Sequence, residues 1–157
     1  MQLLELINRN LGIAHKVCNI YFREAADRED AMQEMMYQLW RSYPRFDGRS
    51  KFSTWMYSVC LNTALTYKRK NRKSESLSDI HDQIHEPAVY DTEEIELMMK
   101  QIDTLSPVNK AIMLLYLEEM SYEEIAEITG LTKANVSVRI VRAKKELGTK
   151  MRKTEEQ

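Results

Sequence analysis

Apolar residues recur at three- and four-residue intervals along most of this chain, which is the period of an amphipathic helix. The pattern predicts an all-α protein of about six or seven helices and no strands. The low counts of four glycines and three prolines agree with this fold class, since turn-rich β folds need more of both. The predicted helices cover residues 3–22 (as one helix, or as two with a break near Gly12), 27–42, 52–69, 91–104, 107–120, 121–129 and 132–147.

The most informative local pattern lies in residues 121–147. Ser121 and Glu124 form a capping box that starts a short helix, and Gly130 can take the left-handed conformation that ends it. Thr132 can cap the next helix, which is basic except for one apolar stripe. This arrangement predicts a helix-turn-helix whose second helix lies in the major groove of DNA. The alternative is a basic surface helix of a bundle. The stripe consists of Val136, Ile140, Ala143 and Leu147.

Charge divides the chain into segments that the net charge of −1 conceals. Residues 41–73 hold nine basic and one acidic side chain, residues 74–104 hold one basic and nine acidic, and residues 131–153 hold eight basic and one acidic. Two basic segments separated by an acidic one predict two nucleic-acid-binding modules joined by a linker. The linker has no periodicity and is expected to be flexible. The predicted domains are residues 1–73, an acidic linker at 74–91, and residues 92–153.

Several function classes find no support in the sequence. The first residues lack the basic start and apolar core of a signal peptide, and no apolar run is long enough to span a membrane. Cys18 and Cys60 show no metal-ligand spacing, and we expect both to be reduced thiols in a core. His81 and His85 lie in a predicted loop, which argues against a metal site. Without a phosphate loop or a nucleophile motif, the sequence predicts a binding protein, not an enzyme, with no cofactor, metal or small-molecule substrate.

A second pattern occupies residues 27–73. A helix with an acidic start leads to an aromatic-flanked loop, and a further helix ends in a basic cluster. Aromatic rings interleaved with basic residues suit single-stranded DNA, because charges hold phosphates and rings stack on unpaired bases. Phe52 and Trp55, with Met56, Val59 and Thr63, fall on the predicted buried stripe of the second helix, and we expect them to be core residues. Phe46 lies in the polar loop, where a role in base stacking is favoured.

With these two patterns in this order, the chain closely resembles the bacterial sigma factors of the extracytoplasmic-function (ECF) class of the sigma-70 family, over roughly residues 10–150. The resemblance rests on Asp27-Arg28-Glu29-Asp30-Ala31, Leu39-Trp40, the segment from Phe46 to Tyr57, Leu61-Asn62-Thr63-Ala64 and the helix-turn-helix. It implies a cytoplasmic subunit that binds core RNA polymerase, directs it to promoters and helps to melt the DNA. The implied partners are the β′ and β subunits of the polymerase, promoter DNA and an anti-sigma factor.

The resemblance also implies roles for individual residues. Binding to core polymerase would involve Asp30, Gln33, Glu34, Tyr37 and Trp40, although core packing explains Trp40 equally well. Recognition of the minus-ten element would involve Phe46, Arg49, Ser50, Lys51 and Asn62, with Lys68, Arg69 and Arg72 on the duplex phosphates. Recognition of the minus-thirty-five element would involve Lys133, Asn135, Ser137, Val138, Arg139, Arg142 and Lys145.

Two positions depart from the family pattern. The family usually has a basic residue where Ser137 stands and a small polar one where Val138 stands. Val138 falls opposite the apolar stripe, with Ala134 and Val141, and valine is a good partner for a thymine methyl group. We therefore expect part of the promoter sequence to be read through apolar contact.

Two rival functions remain open on the sequence alone. A stand-alone helix-turn-helix regulator would explain residues 92–153 but would leave the pattern at 27–73 without a role. A protein-interaction module, such as a sigma mimic or an anti-sigma decoy, is disfavoured by the basic clusters and by the Phe46 loop.

Overall fold

A computed structural model describes the backbone of residues 2–75 and 93–155 and the side chains of residues 2–70 and 93–148. The chain divides into two compact units, Met1–Ala88 and Val89–Gln157. Every regular element in the described ranges is helical, which confirms the predicted all-α class. The elements are α1 Gln2–Arg9, α2 Leu11–Tyr21, α3 Ala25–Ser42, a short 3-10 helix Tyr43–Arg45, α4 Phe52–Glu75, α5 Glu93–Ile102, α6 Pro107–Leu117, α7 Tyr122–Thr129 and α8 Lys133–Glu155.

The core of the first unit lies where α4 packs against both α2 and α3. Its centre is formed by side chains from all three helices, and their burial supplies the main driving force for folding. The thiol of Cys18 lies 3.7 Å from the thioether sulfur of Met35. Both cysteines are buried free thiols, as expected. The largest fully buried side chains are Val17, Met35, Leu39, Met56 and Leu61.

The buried face of α4 differs from the predicted stripe. Met56 and Thr63 are buried as expected, but Phe52, Trp55 and Val59 are only half-buried. The fully buried positions also include Tyr57, Cys60, Leu61 and Ala64. The reason is that α4 contacts two helices, so its buried face is wider than a single stripe of three- and four-residue spacing.

The start of α3 also differs from the prediction. The helix begins at Ala25, two residues before the predicted start at residue 27, and Glu24 in the N-cap position makes no side-chain capping hydrogen bond. Instead the guanidinium of Arg28 donates to the backbone carbonyls of Phe22, at 3.3 Å, and of Arg23. These carbonyls follow the end of α2, where a cation is favourable, so Arg28 fixes the turn between the two helices.

In the second unit α5, α6 and α7 each pack against α8. Because the other three helices all contact α8, it is the central element of this unit. The buried side chains come from all four helices. Ser106 caps α6 by accepting a hydrogen bond from the backbone N–H of Asn109 at 3.3 Å. The ammonium of Lys110 lies 3.7 Å from a carboxylate oxygen of Asp103 and joins α6 to the end of α5. The core contains Ile102, Ile112, Leu115, Ile125, Val136 and Ile140.

Among the described residues, no helix combines the length and the apolar character that crossing a membrane requires.

Candidate nucleic-acid and protein interfaces

The helix-turn-helix predicted from residues 121–147 is present. The Ser121 hydroxyl accepts a hydrogen bond from the Glu124 backbone N–H at 3.1 Å. Gly130 has a φ of 77° and donates its backbone N–H to the carbonyl of Ala126 at 2.9 Å, which ends α7. Thr132 caps α8 by accepting from the Asn135 backbone N–H at 3.1 Å. The predicted stripe faces inward: Val136, Ile140 and Ala143 are buried and Leu147 is half-buried.

Five of the predicted minus-thirty-five residues are exposed on α8: Lys133, Asn135, Val138, Arg142 and Lys145. Val138 is 46% exposed and Val141 is 59% exposed, so an apolar strip does lie on the surface of this helix. The ammonium of Lys133 pairs with Glu123 of α7 at 2.5 Å. Hydrogen bonding to Lys133 lowers the pKa of the Glu123 carboxyl.

Arg139 differs from the other predicted residues because it is half-buried and bonded within the unit. Its Nε donates to the side-chain oxygen of Asn135 at 2.9 Å, and its Nη1 donates to the side-chain oxygen of Asn109 at 3.0 Å. Ser137 is half-buried as well. The guanidinium therefore links α8 to the first turn of α6, a contact that the sequence pattern does not predict.

Lys144 is a further basic residue of α8 and lies outside the predicted minus-thirty-five set. Its Nζ lies 4.2 Å from the ring centroid of Tyr116, a geometry in which the ring attracts the cation. A hydrogen bond to Tyr116 raises the pKa of Lys144, so the charge of Lys144 is held against α6.

The five predicted polymerase-binding residues share the exposed surface of α3. Asp30, Gln33 and Glu34 are exposed, and they are followed by Tyr37, 50% exposed, and Trp40, 68% exposed. The two rings are tilted at 37° with centroids 6.4 Å apart. Trp40 is therefore a surface residue and is not part of the core.

The segment that follows α3 packs against the start of α4 through an aromatic cluster formed by Tyr43, Phe46, Phe52 and Trp55. The Phe46 ring centroid lies 5.1 Å from that of Trp55, 6.0 Å from that of Phe52 and 6.3 Å from that of Tyr43. Phe46 is half-buried in this cluster, and its expected role in base stacking stays a prediction. Phe52 and Trp55, expected in the core, belong to this cluster instead.

The polar part of the same loop is held by Asp47. Its carboxylate accepts the backbone N–H of Arg49 at 3.0 Å and pairs with the Arg49 guanidinium at 3.1 Å. Gly48 between them has a φ of 78°, which glycine adopts without steric cost. This Asx-type turn leaves Arg49 and Lys51 exposed, with Ser50 half-buried.

Asn62 lies in a groove between α3 and α4, which Asp30, Glu34, Tyr67 and Lys70 also line. Asn62 follows Phe52 by ten residues, about 15 Å along a helix axis. The groove therefore brings Asn62 beside two residues predicted to bind polymerase. Burial, followed by the nearby charges of Asp30 and Asp27, raises the pKa of Tyr67.

The predicted phosphate-binding residues at the end of α4 are not equivalent. The Lys68 ammonium lies 5.0 Å above the ring centroid of Phe22, and that ring packs edge-on against Tyr67 with centroids 5.3 Å apart. Lys68 is half-buried, whereas Arg69 is exposed. The Arg72 side chain, residues 76–91 of the predicted linker and both of its histidines lie outside the described residues, whereas the backbone of residues 74 and 75 continues α4.

Comparison with known proteins defines the class. Residues 6–74 match the Sigma-70 region 2 family, and residues 95–147 match the Sigma-70, region 4 family. The chain is 30% identical to the ECF RNA polymerase sigma-E factor of Haemophilus influenzae, over 80% of this chain and 75% of that protein. It is 29% identical to the factor of the same name from Escherichia coli K12, over 87% of this chain and 81% of that protein.

Two solved structures have a similar fold. The sigma factor RpoE of Bartonella quintana, in complex with the anti-sigma factor NepR, superposes with a TM-score of 0.75 at 19% identity, covering 94% of this chain and 97% of that one. CnrH, in complex with the cytosolic domain of CnrY, gives a TM-score of 0.69 at 19% identity, covering 95% and 86%.

The chain therefore belongs to the ECF class of the sigma-70 family. It is a sigma factor that directs RNA polymerase to promoters, and a stand-alone helix-turn-helix regulator is not favoured.

Proposed function

We propose that this sigma factor docks on the β′ subunit of core polymerase through the exposed side of α3. The main support for this proposal is the exposure of Trp40, a large ring that is 68% exposed, beside Tyr37, which is 50% exposed. Both rings lie on α3, a helix with an acidic start. Exposed aromatic residues next to charged ones are typical of protein-binding hot spots. Asp30, Gln33 and Glu34 supply the polar part of this surface.

The loop from Phe46 to Lys51 and the side chain of Asn62 form the proposed minus-ten surface. The aromatic cluster supports this role by holding the loop, so that Arg49 and Lys51 are presented on a fixed turn. Capture of an unpaired base there would offset the cost of unstacking and so help to melt the duplex. Lys68, Arg69 and Arg72 bind duplex phosphates in this proposal.

The exposed side of α8 forms the proposed minus-thirty-five surface. Lys133, Arg142 and Lys145 contact phosphates or base edges, while Asn135 and Val138 face the bases in the major groove. Arg139 and Ser137 belong to the predicted set, and their partial burial favours a supporting position for both. The short, capped helix-turn-helix fixes the angle of α8 against the rest of its unit.

The proposal extends to partners and chemistry. The protein acts by binding, without catalysis of its own, and it works in the cytoplasm where the polymerase is. We propose that an anti-sigma factor controls it, as the complex of the Bartonella quintana relative suggests by analogy. Exposed apolar side chains in both units, Tyr37 and Trp40 in the first and Ile95 and Leu117 in the second, supply surface for such a partner.

The test is transcription from a library of promoter-length DNA by core polymerase, with and without the protein. We expect new start sites that share paired upstream elements. Trp40→Ala should lower the affinity for core polymerase about tenfold or more, the loss expected for a hot-spot aromatic residue. The matched control is Leu4→Ala, which removes an equally exposed apolar side chain of the same unit outside α3.

Each outcome separates the candidate functions. Equal losses for Trp40→Ala and Leu4→Ala would contradict docking through α3. Core binding without new transcripts would point to a decoy. Tight, specific binding to duplex DNA in the absence of polymerase would restore the stand-alone regulator.

A further inference from the structure

A chain of hydrogen bonds connects the start of α6 to the DNA-facing side of α8. Asn109 on α6 accepts from Arg139 at 3.0 Å, and Arg139 donates at 2.9 Å to Asn135 on α8. Asn109 belongs to neither predicted DNA-binding surface, and it is separated from Arg139 by thirty residues in sequence. It is half-buried, as is Arg139, whereas Asn135 is exposed.

The donor chemistry of arginine fixes the orientation of the Asn135 amide. A guanidinium can only donate hydrogen bonds, so the Asn135 atom that faces Arg139 must be its oxygen. The amide nitrogen, with its two N–H donors, is then directed away from Arg139. Within the part of the chain that the structure describes, no bond engages that nitrogen.

We propose that Asn109 is a positioning residue for promoter recognition: through Arg139 it orients Asn135, so that the Asn135 amide presents donors to the bases. The inference rests on the proposed reading of DNA by α8. It assigns Arg139 a supporting role and makes Asn135 the specificity-determining residue of this group.

The orientation also defines which base edges Asn135 can read. Two outward donors match acceptors in the major groove, namely O6 and N7 of guanine, N7 of adenine or O4 of thymine. They do not match the N4 amino group of cytosine, which is itself a donor. Asn135 should therefore discriminate against cytosine on the strand that it contacts.

The bond to Asn109 is what gives this arrangement its rigidity. Arg139 is a long side chain with considerable rotamer freedom. A contact to Asn135 alone would link two residues of one helix, four positions apart, and leave the pair free to move together. Asn109 anchors the guanidinium to a second helix, whose own first turn is capped by Ser106.

The experiment measures base preference at every minus-thirty-five position, using polymerase holoenzyme and a promoter library. Asn109→Leu keeps the size of the side chain but removes the acceptor. We expect it to reduce discrimination at one base pair by about two- to tenfold, the fold-change that corresponds to one hydrogen bond. Asn135→Ala should reduce discrimination at the same base pair. The double variant should lose no more discrimination than Asn135→Ala alone, because Asn109 acts through Asn135.

Asn109→Asp is the rescue variant, because its carboxylate still accepts from Arg139. It should retain the preference of the original protein. A uniform loss at all positions with Asn109→Leu, or a loss at a base pair that Asn135→Ala leaves unchanged, would overturn the inference. Library transcription by the unaltered protein without any upstream preference would instead refute the proposed function itself, and the inference with it.

Discussion

Two residues of the second unit hold left-handed backbone at the ends of neighbouring helices. Gly130, after α7, has a φ of 77°, and Glu119, after α6, has a φ of 62°. Glu119 donates its N–H to the carbonyl of Tyr116, and Met120 donates to that of Leu115 at 3.2 Å. This is the Schellman pattern, in which glycine is the usual left-handed residue. The glutamate at this position is therefore strained, whereas Gly130 is not.

Substitution should have opposite effects at these two positions. Gly130→Ala places a Cβ in open space but in a disfavoured conformation, so it should lower the free energy of unfolding by about 1 kcal/mol. Glu119→Gly should raise it by about 0.5 kcal/mol, because part of the relief is offset by the greater freedom of glycine in the unfolded chain. Urea unfolding followed by far-UV circular dichroism measures both.

Gly12→Ala is the control, because Gly12 lies within α2 and its added Cβ also meets nothing within 4 Å. Alanine should stabilise that helix. Both tryptophans lie in the first unit, so tryptophan fluorescence reports the unfolding of that unit. It therefore measures the effect of Gly12→Ala separately from the effects of Gly130→Ala and Glu119→Gly. Destabilisation by Glu119→Gly would contradict the strain assigned to that residue.

The buried thiol of Cys60 links stability to alkaline pH. Burial, followed by the nearby Cys18, raises its pKa from 9.0 to about 12. The pKa of Cys60 is higher in the folded protein than in the unfolded one. The protonated thiol therefore contributes fully to the free energy of unfolding below about pH 9, and this contribution is lost as the pH rises toward 12. We expect the free energy of unfolding to fall by up to about 1.4 kcal/mol per pH unit in that range.

Cys60→Ala tests this linkage. The variant should be less stable at pH 7, because it loses buried volume, but its stability should decline less between pH 9 and pH 10.5. Urea midpoints at several pH values measure both effects. Parallel declines for the two proteins would assign the pH dependence to other groups.

At the scale of the elements, local signals predicted α7 and α8 well. Ser121, Gly130 and Thr132 act within their own turns, so their roles can be read from spacing alone. The first turn of α3 was predicted less well, because Arg28 takes its partners from the end of α2. Likewise the contacts of Phe46 with Phe52 and Trp55 were not predicted, because a linear pattern cannot show that the loop folds this ring onto α4.

Local spacing also gave no sign of the partner that Arg139 has on α6. Its position on the polar side of α8 is typical of a DNA contact, and the sequence assigned it that role. Its second partner, Asn109, lies on another helix, and no periodic pattern connects the two. The individual roles of the predicted DNA-binding and polymerase-binding residues remain predictions.

The apolar strip of α8 should read a thymine methyl group. Val138→Ser removes the apolar contact from the exposed side of the helix. With the unaltered protein, replacing one thymine of the minus-thirty-five element by uracil should weaken holoenzyme binding by about fourfold, the effect of one buried methyl group. With Val138→Ser, thymine and uracil should bind equally at that position.

Ile95→Ser is the control for this measurement, because it places serine at another exposed apolar position of the second unit, outside α8. It should leave the preference for thymine intact. Discrimination that persists unchanged in Val138→Ser would refute the methyl contact.

At the scale of the whole molecule, the charge distribution explains how a protein of net charge −1 can bind DNA. Basic side chains are concentrated at the end of the first domain and along α8, and acidic ones elsewhere. Each phosphate that a basic residue neutralises releases counterions and adds about 0.9 to the slope of log K against log salt concentration. The contributions of the two units to this slope should therefore add.

Arg69→Ala in the first unit and Arg142→Ala in the second test this additivity. Each should reduce the salt slope of holoenzyme binding to promoter DNA by about 0.9, and the double variant by about 1.8. Lys100→Ala is the control, because Lys100 pairs with Glu96 at 3.8 Å on α5, outside both proposed surfaces. A variant that weakens binding by the same factor at every salt concentration would leave the slope unchanged. That result would show that its arginine supports the fold and does not neutralise a phosphate. A double variant that loses no more than one single variant would show that only one unit meets the DNA backbone.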